Sequence, residues 1–319
     1  MRWNLHGLII EGTTQDAGVR NHWQKSFASC PAATASPQLS VALDLVPDVP
    51  PRPPGEAHFR QDDLLEYYLD GRVAIAHFPR FGQLRLDLAN GTTEGRIVSA
   101  ALATYGVFED LIAIGLSPHL RRRGLFLIHA FAAVGGHPTG MARPTGTALL
   151  VGGIGSGKTT TGMALLNAGW KLLSNDSPIL NHSAEVLSYP GLLAAYPDTF
   201  TRFDATADLA KTVPAAEGRK KITVAAESIW PDVWIDQAPA GAIFFPHVEA
   251  RADHAVETIH PPEALRRLLP HAVEQWDRDM SPEHLRVLRH LVESAPAFEL
   301  WLGPNVHAIP NALCAVMQC

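Results

Sequence analysis

The residues best suited to chemistry lie in one glycine-rich segment near the middle of this 319-residue chain. Residues 152–159 read Gly-Gly-Ile-Gly-Ser-Gly-Lys-Thr, which fits the pattern of a phosphate-binding P-loop. Its glycines let the backbone turn sharply and aim N–H groups at anionic oxygens, because they lack a Cβ atom. Lys158 supplies a mobile positive charge for β- and γ-phosphates, and the Thr159 hydroxyl suits Mg²⁺. We expect phosphate to be bound by Gly152, Gly153, Ile154, Gly155, Ser156, Gly157, Lys158, Thr159 and Thr160.

The segments on either side of this loop are those that a P-loop requires. Residues 147–151 form a short apolar run, typical of a buried parallel strand. Residues 160–168 have helical character and end before Gly169, a residue suited to close a helix. A strand, a glycine-rich loop and a helix in this order predict binding of a nucleoside triphosphate or a related phosphate compound.

An acidic residue that can hold a metal ion follows soon after the loop. Residues 170–173 are predicted to form a strand, and Asp176 lies just beyond it. In P-loop proteins an aspartate at the end of a second strand commonly binds Mg²⁺. We therefore predict that Asp176 holds Mg²⁺ together with Thr159, the alternative being a polar cap at a strand end.

Three features together resemble the HPr kinase/phosphorylase superfamily, which shares its P-loop core with phosphoenolpyruvate carboxykinases. The first is His129 after the short apolar strand Leu-Phe-Leu-Ile, upstream of the loop. The second is a P-loop helix that ends in Ala-Gly-Trp, and the third is the strand that leads to Asn175 and Asp176. The resemblance covers residues 125–181 well and continues faintly through 218–224 and 238–243.

The resemblance implies an α/β fold with a phosphoenolpyruvate carboxykinase-like P-loop core, and phosphoryl transfer from ATP to a hydroxyl, often a serine of a protein or peptide. Asp176 corresponds to the acid assigned to the metal, and His129 to a residue near the transferred phosphate. Arg219 and Lys220, with Lys221, are expected to neutralise the phosphates. Without the resemblance, we would interpret His129 as a core histidine and residues 219–221 as a solvated basic patch.

The sequence departs from the family pattern at two positions. Asn175 stands where the family has the acid that accepts the serine proton, and an amide cannot do this at neutral pH. Either Asp176 serves both roles, or another group such as His129 acts as the base, or no strong base is needed. Ile154 also replaces a serine of the true HPr kinases. The chain is thus similar to divergent relatives found beside genes for ribosomally made peptides, including lasso peptides, whose precursors they phosphorylate.

The rest of the chain predicts two domains: a small β-rich N-terminal lobe over residues 1–90 and a P-loop kinase domain over 91–319. A proline-rich stretch, residues 46–55, interrupts regular structure. Residues 93–123 are expected to be mostly helical with a break near Pro118, and residues 204–217 to form a mobile loop. In the lobe, predicted strands are 5–10, 39–46, 72–78 and 83–88. In the second domain, predicted strands are 179–180, 222–225 and 242–245, and predicted helices are 262–271 and 282–294.

Composition excludes several classes of protein. With 46% hydrophobic and 18% charged residues the chain is an ordinary globular protein, and its net charge of −6 disfavours nucleic acid as a partner. No segment resembles a membrane span or a secretory signal, so we expect a cytoplasmic protein without a membrane partner. The three cysteines include no Cys-x-x-Cys pair, which favours reduced thiols over a disulfide framework or a zinc site. A homo-oligomer is compatible with the sequence.

The leading hypothesis is an ATP- and Mg²⁺-dependent kinase acting on a Ser or Thr hydroxyl of a peptide or small protein. Its expected catalytic residues are His129, Lys158, Asp176, Arg219 and Lys220. One alternative is a kinase for a small molecule such as free serine. Another is a nucleotide-binding regulatory module with weak or no catalysis, which the replacement at Asn175 suggests.

Overall fold

The computed structural model describes residues 1–135, 146–211 and 221–317. The chain forms two compact units, the first being Met1–Gly124 with Glu274–Ser281 and the second Leu125–Val273 with Pro282–Cys319. Helices and mixed β-sheets occur in both units, so the fold is α/β as expected. The first unit extends beyond the predicted lobe of residues 1–90, because a strand at Thr92–Ile97 pairs within its sheet.

An eight-stranded mixed sheet forms the body of the first unit. Its strands are β1 (Arg2–Leu5), β2 (Leu8–Thr13), β3 (Leu39–Leu45), β4 (Phe59–Gln61), β5 (Leu65–Asp70), β6 (Val73–Phe78), β7 (Gly82–Asp87) and β8 (Thr92–Ile97). Their order is β1-β2-β3-β8-β7-β6-β5-β4, with β3 parallel to both β2 and β8. In β7, buried Leu84 and Leu86 alternate with more exposed Gln83 and Arg85, so one face of the sheet is apolar.

Three helices accompany this sheet: α1 (Ala17–Ser26), α2 (Ala100–Ala103) and α3 (Val107–Arg121). Helix α1 begins after Asp16, whose carboxylate accepts a 2.9 Å hydrogen bond from the Val19 amide. Its Trp23 stacks on Trp3 of β1 at 5.3 Å and meets Phe108 of α3 edge-on at 6.0 Å. These buried rings join the sheet to two of its helices.

The start of the chain differs from its prediction. The single strand expected at 5–10 is a hairpin, in which β1 and β2 pair around His6 and Gly7 with φ angles of 52° and 88°. Such left-handed angles at both central residues belong to a tight hairpin turn. The segment between the first two predicted strands, for which no helix is predicted, contains helix α1.

The prediction for residues 93–123 is wrong in two respects. Its first residues belong to β8, and α3 continues through Pro118 without a break. A proline inside a helix costs about 3 kcal/mol, because it removes a hydrogen bond and crowds the preceding turn. Burial of α3 from Gly115 to Arg121 offsets this cost, and the Thr93 hydroxyl supports the helix by donating to the Gly115 carbonyl at 2.7 Å.

The second unit contains a nine-stranded mixed sheet and a separate two-stranded sheet within the described residues. The strands are β9 (Phe126–Leu127), β10 (Ala130–Val134), β11 (Thr147–Val151), β12 (Lys171–Ser174), β13 (Ile179–Leu180), β14 (Glu185–Leu187), β15 (Leu193–Ala195), β16 (Ile222–Val224), β17 (Gln237–Val248), β18 (Ala255–Ile259) and β19 (Ala297–Leu302). The two-stranded sheet pairs β15 with β16 in antiparallel orientation. In the main sheet the order is β12-β10-β11-β17-β14-β13-β9, and β19 pairs with both β17 and β18.

The helices that follow in the chain are α4 (Lys158–Asn167), α5 (Pro197–Phe200), α6 (Ala207–Ala210), α7 (Pro261–Leu268), α8 (Ser281–Ser294) and α9 (Ile309–Met317). Short 3₁₀ turns occur at Ala226–Ser228, Leu269–His271 and Val306–Ala308. Helix α4 buries Met163, Leu165 and Leu166, each side chain contributing about 1.5–3 kcal/mol. It ends before Gly169, whose φ of 88° is the left-handed angle predicted for that position.

Three strands of this sheet bring their flanking residues to one edge. β11, β17 and β19 are parallel, so their carboxyl ends lie together. β10 runs the opposite way and begins at this edge, with Ala130 opposite Val151. β12 ends there, since it is antiparallel to β10 and its Ser174 pairs with Ala132. His129, the P-loop and Asp176 therefore leave the sheet at the same edge.

Two further expectations can be compared with the fold. The predicted loop at 204–217 contains the short helix α6, and its residues 212–217 lie outside the described part. Cys314 in α9 is disulfide-bonded, so the expectation of reduced cysteines is wrong there. Among the described residues, each helix is too short or too polar to cross a membrane.

Candidate functional site

The glycine-rich segment has the backbone geometry expected of a P-loop. Strand β11 ends at Val151, as predicted, and α4 begins at Lys158. Gly155 and Gly157 have φ angles of 81° and 101°, in the region that favours glycine. A Cβ atom on Gly157 would also lie 2.5 Å from the side chain of Leu302. The loop thus favours glycine at position 155 for its conformation, and at position 157 for both conformation and space.

The start of α4 offers a concentration of N–H groups to an anion. The Thr161 amide bonds to the Gly157 carbonyl at 2.9 Å and begins the helical ladder. Amides before it in the first turn have no partner within the helix, and the helix dipole is positive at this end. Phosphate groups are commonly bound in this setting. Ile154 at the loop tip is 96% exposed.

Lys158 is buried and makes its contacts inside the loop. Its ammonium group donates to the Gly152 carbonyl and, at 3.3 Å, to the Gly153 carbonyl. Its Nζ lies 3.1 Å from Nε2 of His129. Burial lowers the pKa of Lys158, an effect that the carboxylate of Asp176 opposes and the charge of Lys221 reinforces. A phosphate that takes Lys158 must replace these contacts and would favour its charged form.

His129 connects Lys158 to Asp176. Nδ1 of the imidazole lies 3.3 Å from Oδ1 of Asp176. An ammonium group can only donate, so Nε2 must accept from Lys158, and Nδ1–H then donates to the carboxylate. The backbone fixes this arrangement, since the His129 amide donates to the His271 carbonyl at 2.6 Å and the Ala130 amide to the Asp176 carbonyl at 2.9 Å.

The ring of His271 forms one wall of this site. It stacks beside the His129 ring, with centroids 6.0 Å apart and planes inclined by 23°. The pKa of His271 is lowered mainly by burial, and also by electrostatic interaction with His129 and Lys158. Sequence reasoning assigned no role to His271, which follows a helix that carried no chemical motif.

The donor groups of the site suit Mg²⁺. This ion is typically bound through one or two carboxylates, with phosphate and water oxygens completing its shell. The carboxylate of Asp176 is half exposed and offers an oxygen beyond the one that faces His129. Thr159 supplies a hydroxyl in the first turn of α4. The described residues contain no cluster of three or more histidine, cysteine, aspartate or glutamate ligands, so a protein-only metal cage is absent from them.

Asn175 uses its side chain for structure. Its Nδ2 donates to the Leu192 carbonyl at 3.1 Å, which ties the end of β12 to the chain entering β15. Its Oδ1 is buried and has no hydrogen-bond partner among the described residues. The Asn175 side chain is therefore directed at backbone, with its Oδ1 away from solvent.

The two-stranded β15–β16 sheet carries one member of the predicted basic run, Lys221, which immediately precedes β16. Nζ of Lys221 lies 5.4 Å from the centre of the Tyr196 ring. Thr199 in α5 places its hydroxyl 3.5 Å from that of Thr160 in α4. Arg219 and Lys220, which were expected to act on the phosphates, lie outside the described residues. The contact of Lys221 with Tyr196 was not expected, because a three-residue strand such as β15 has no recognisable period in the sequence.

Comparison of the sequence with known protein families and with curated proteins finds no match. A proposal about function therefore depends on the geometry of Lys158, His129 and Asp176, on the loop that holds them, and on the motifs of the sequence itself.

Proposed function

We propose that this chain is an ATP- and Mg²⁺-dependent kinase that transfers a phosphoryl group to a Ser or Thr hydroxyl of a peptide or small protein. The observation that carries the proposal is the connected series of Lys158, His129 and Asp176 beside a P-loop backbone. Resemblance of residues 125–181 to the HPr kinase/phosphorylase superfamily supports the same class of reaction.

The proposed roles follow from the chemistry of each group. Loop amides and Lys158 bind the β- and γ-phosphates, and Thr159 and Asp176 hold Mg²⁺, which neutralises phosphate charge. His129 lies beside the transferring group, and Arg219 or Lys220 adds positive charge. Phosphoryl transfer passes through a loose transition state, so positioning and charge neutralisation supply most of the catalysis.

During transfer the acceptor hydroxyl loses its proton, which another group must accept. Asn175 cannot accept it, and its amide is committed to the Leu192 carbonyl. Of the remaining options, the contacts favour His129, because its Nε2 presents a lone pair next to Lys158 while Asp176 orients the ring. Once phosphate draws Lys158 away, this nitrogen is open to a hydroxyl.

Two other functions fit parts of the site. A kinase for a small molecule such as free serine would use the same groups on a smaller acceptor. A nucleotide-binding regulatory module would use the loop without transfer, and the observation that favours it is the structural engagement of Asn175. The peptide kinase remains our proposal because the family resemblance points to it.

An acceptor panel tests the proposal. The protein is incubated with γ-labelled ATP, Mg²⁺ and one acceptor at a time. The acceptors are serine-containing precursor-type peptides, the same peptides with threonine in place of serine, and free serine. We expect label on a peptide hydroxyl, and a loss of at least about 100-fold in Asp176→Ala, since single charged catalytic contacts contribute factors of this size. Asp204→Ala, an acidic residue outside the proposed site, is the control. Label on free serine alone would favour the small-molecule kinase, and tight ATP binding without transfer to any acceptor would favour the regulatory module.

A further inference from the structure

His271 contacts His129 through both its backbone and its ring. The His129 amide donates to the His271 carbonyl at 2.6 Å. The two imidazole rings are stacked, with centroids 6.0 Å apart and planes inclined by 23°. This separation lies within the range in which flat rings pack against each other. One residue therefore holds the backbone of His129 and bounds one face of its ring.

The turn that carries His271 is itself anchored. His271 ends the 3₁₀ turn Leu269–His271, which follows α7 directly. The amides of Ala272 and Val273 donate to the Leu269 carbonyl at 3.3 and 3.0 Å. These two hydrogen bonds close the turn, and the His271 side chain is partly buried. The ring of His271 is therefore held in place independently of His129.

The other contacts of the His129 ring lie along its edge. Nε2 is 3.1 Å from Nζ of Lys158, and Nδ1 is 3.3 Å from Oδ1 of the half-exposed Asp176. These contacts set the orientation of the ring together, because rotation about the Cβ–Cγ bond of histidine has only broad minima. When a phosphate draws Lys158 away, one edge contact is left. The face of the His271 ring then opposes rotation of His129.

The charge state of His271 suits this position. Its pKa is lowered mainly by burial, and also by electrostatic interaction with His129 and Lys158. The ring is therefore uncharged at neutral pH. An uncharged neighbour does not repel a proton taken up by His129, whereas a second imidazolium would. His271 can thus support the His129 ring in both of its protonation states.

We propose that His271 is a positioning residue, which keeps Nε2 of His129 directed at the phosphate-binding loop and Nδ1 at Asp176 while Lys158 binds phosphate. It acts through His129 and not on the phosphate or the acceptor. That this orientation serves to accept the hydroxyl proton rests on the proposed function. The orientation itself can be measured without nucleotide.

Nitrogen NMR of protein labelled at histidine reports which ring nitrogen of His129 carries the proton. Spectra are recorded without nucleotide at pH 8, above the ordinary histidine pKa of about 6.5, and the signals of His129 are assigned by their loss in His129→Gln. Lys158→Ala removes one edge contact, and we expect His129 to keep its proton on Nδ1 in this variant. In Lys158→Ala/His271→Ala we expect signals from both tautomers, because the ring is then free to rotate.

Further variants at position 271 separate orientation from folding. In the Lys158→Ala background, His271→Phe keeps a flat ring and should preserve the single tautomer, whereas His271→Leu fills the space without a flat face and should lose it. This comparison leaves no cavity, so it tests the orientation even where His271→Ala fails to fold. His290→Ala, which removes an exposed histidine of α8, is the matched control and should leave the His129 signals unchanged.

Kinetics give the second readout. His271→Ala alone should lower kcat of peptide phosphorylation by about tenfold, part of the about 10²–10⁴-fold that a general base contributes, and leave the KM for ATP within about twofold. His271→Phe should recover most of the rate. The proposal is overturned if Lys158→Ala/His271→Ala keeps the single Nδ1–H tautomer, or if His271→Ala keeps the wild-type kcat. The expected NMR difference, with no transfer by the wild-type chain to any acceptor, would contradict the kinase and leave this inference standing.

Discussion

At residue 175 the side chain explains why the introduction of an acid should fail to create a catalytic base. Asn175 donates to the Leu192 carbonyl, and an aspartate there would turn a carboxylate toward that oxygen. We predict that Asn175→Asp lowers the free energy of unfolding by about 1–3 kcal/mol and does not raise phosphoryl transfer, because a lost hydrogen bond is combined with a poorly solvated charge. Urea unfolding and the label-transfer rate measure the two effects.

The control for this variant is Asn4→Asp. The side-chain oxygen of Asn4 accepts from the Gly7 amide at an exposed site, a role that a carboxylate can fill, so its stability should change little. An Asn175→Asp protein as stable as the wild type and faster in transfer would contradict our interpretation of this position.

Local sequence motifs predicted most of the residues that form the candidate site. Lys158, His129 and Asp176 were each chosen from a local pattern, and they contact one another in the folded chain. The partner of Asn175 was not predictable, because Leu192 lies in an apolar segment whose backbone carbonyl has no sequence signature. His271 was missed for the same reason, since its contribution is a carbonyl oxygen and a packed ring.

At the scale of elements, the contact between α4 and β10 depends on Gly162. A Cβ atom at this position would lie 2.4 Å from the ring of Phe131. Helix propensity alone favours alanine over glycine by about 1 kcal/mol, but overpacking of a core costs about 1–3 kcal/mol. We predict that Gly162→Ala is net destabilising, as measured by chemical denaturation.

A double variant gives this prediction its control. Gly162→Ala combined with Phe131→Leu should be less destabilised than the sum of the two single changes, since the leucine vacates space for the new methyl group. Gly191→Ala is the matched single change, because a Cβ there meets no atom within 4 Å. Additive effects in the double variant would show that the two residues do not oppose each other.

Elements were predictable where the pattern was local. The strand before the P-loop has the bounds predicted for it, because a short apolar run followed by glycines favours few structures other than a buried strand. Helix α1 was missed although Asp16 provides a helix cap and Val19 and Trp23 share a face. Strand β8 was assigned to a helix, because its half-polar sequence becomes a strand only by pairing with β3 and β7.

At the scale of the whole molecule, the division into units was less predictable than the elements. The proline-rich stretch suggested an interruption, and no strand or helix occurs from residue 46 to 58. The sheet nevertheless continues across it, since β3 before the stretch and β8 after it are neighbours. Pairing between distant strands leaves no local pattern, so the extent of the first unit could not be inferred from residues 1–90 alone.

The stability of the first unit should depend on pH through His119. This histidine is fully buried, and its Nε2 lies 3.0 Å from the Thr93 hydroxyl. Burial, with the charges of nearby arginines, lowers its pKa from 6.5 to about 4. Between these values the unfolded chain binds a proton that the folded chain does not, so stability is complete above pH 6.5 and falls as pH approaches 4. The loss reaches about 3 kcal/mol.

Urea unfolding between pH 7.5 and 4.5 checks this dependence. His119→Gln, which cannot take up a proton, should show a smaller fall in the unfolding free energy than the wild type across that range. His58→Gln, in which the replaced histidine is exposed, is the control and should follow the wild type. Equal slopes for wild type and His119→Gln would rule out His119 as the source.

The central claim is that Lys158 and its loop serve phosphoryl transfer to a hydroxyl. The most direct measurement is single-turnover transfer of label from γ-labelled ATP to a serine-containing peptide, with Mg²⁺, by the wild-type chain and by Lys158→Ala. Lys171→Ala, an exposed lysine that bonds to the Asp232 carbonyl, is the matched control. We predict labelled phosphoserine with the wild type and Lys171→Ala, and a rate reduced by at least about 100-fold with Lys158→Ala. Equal transfer by Lys158→Ala, or none by a wild-type protein that binds ATP, would contradict the claim.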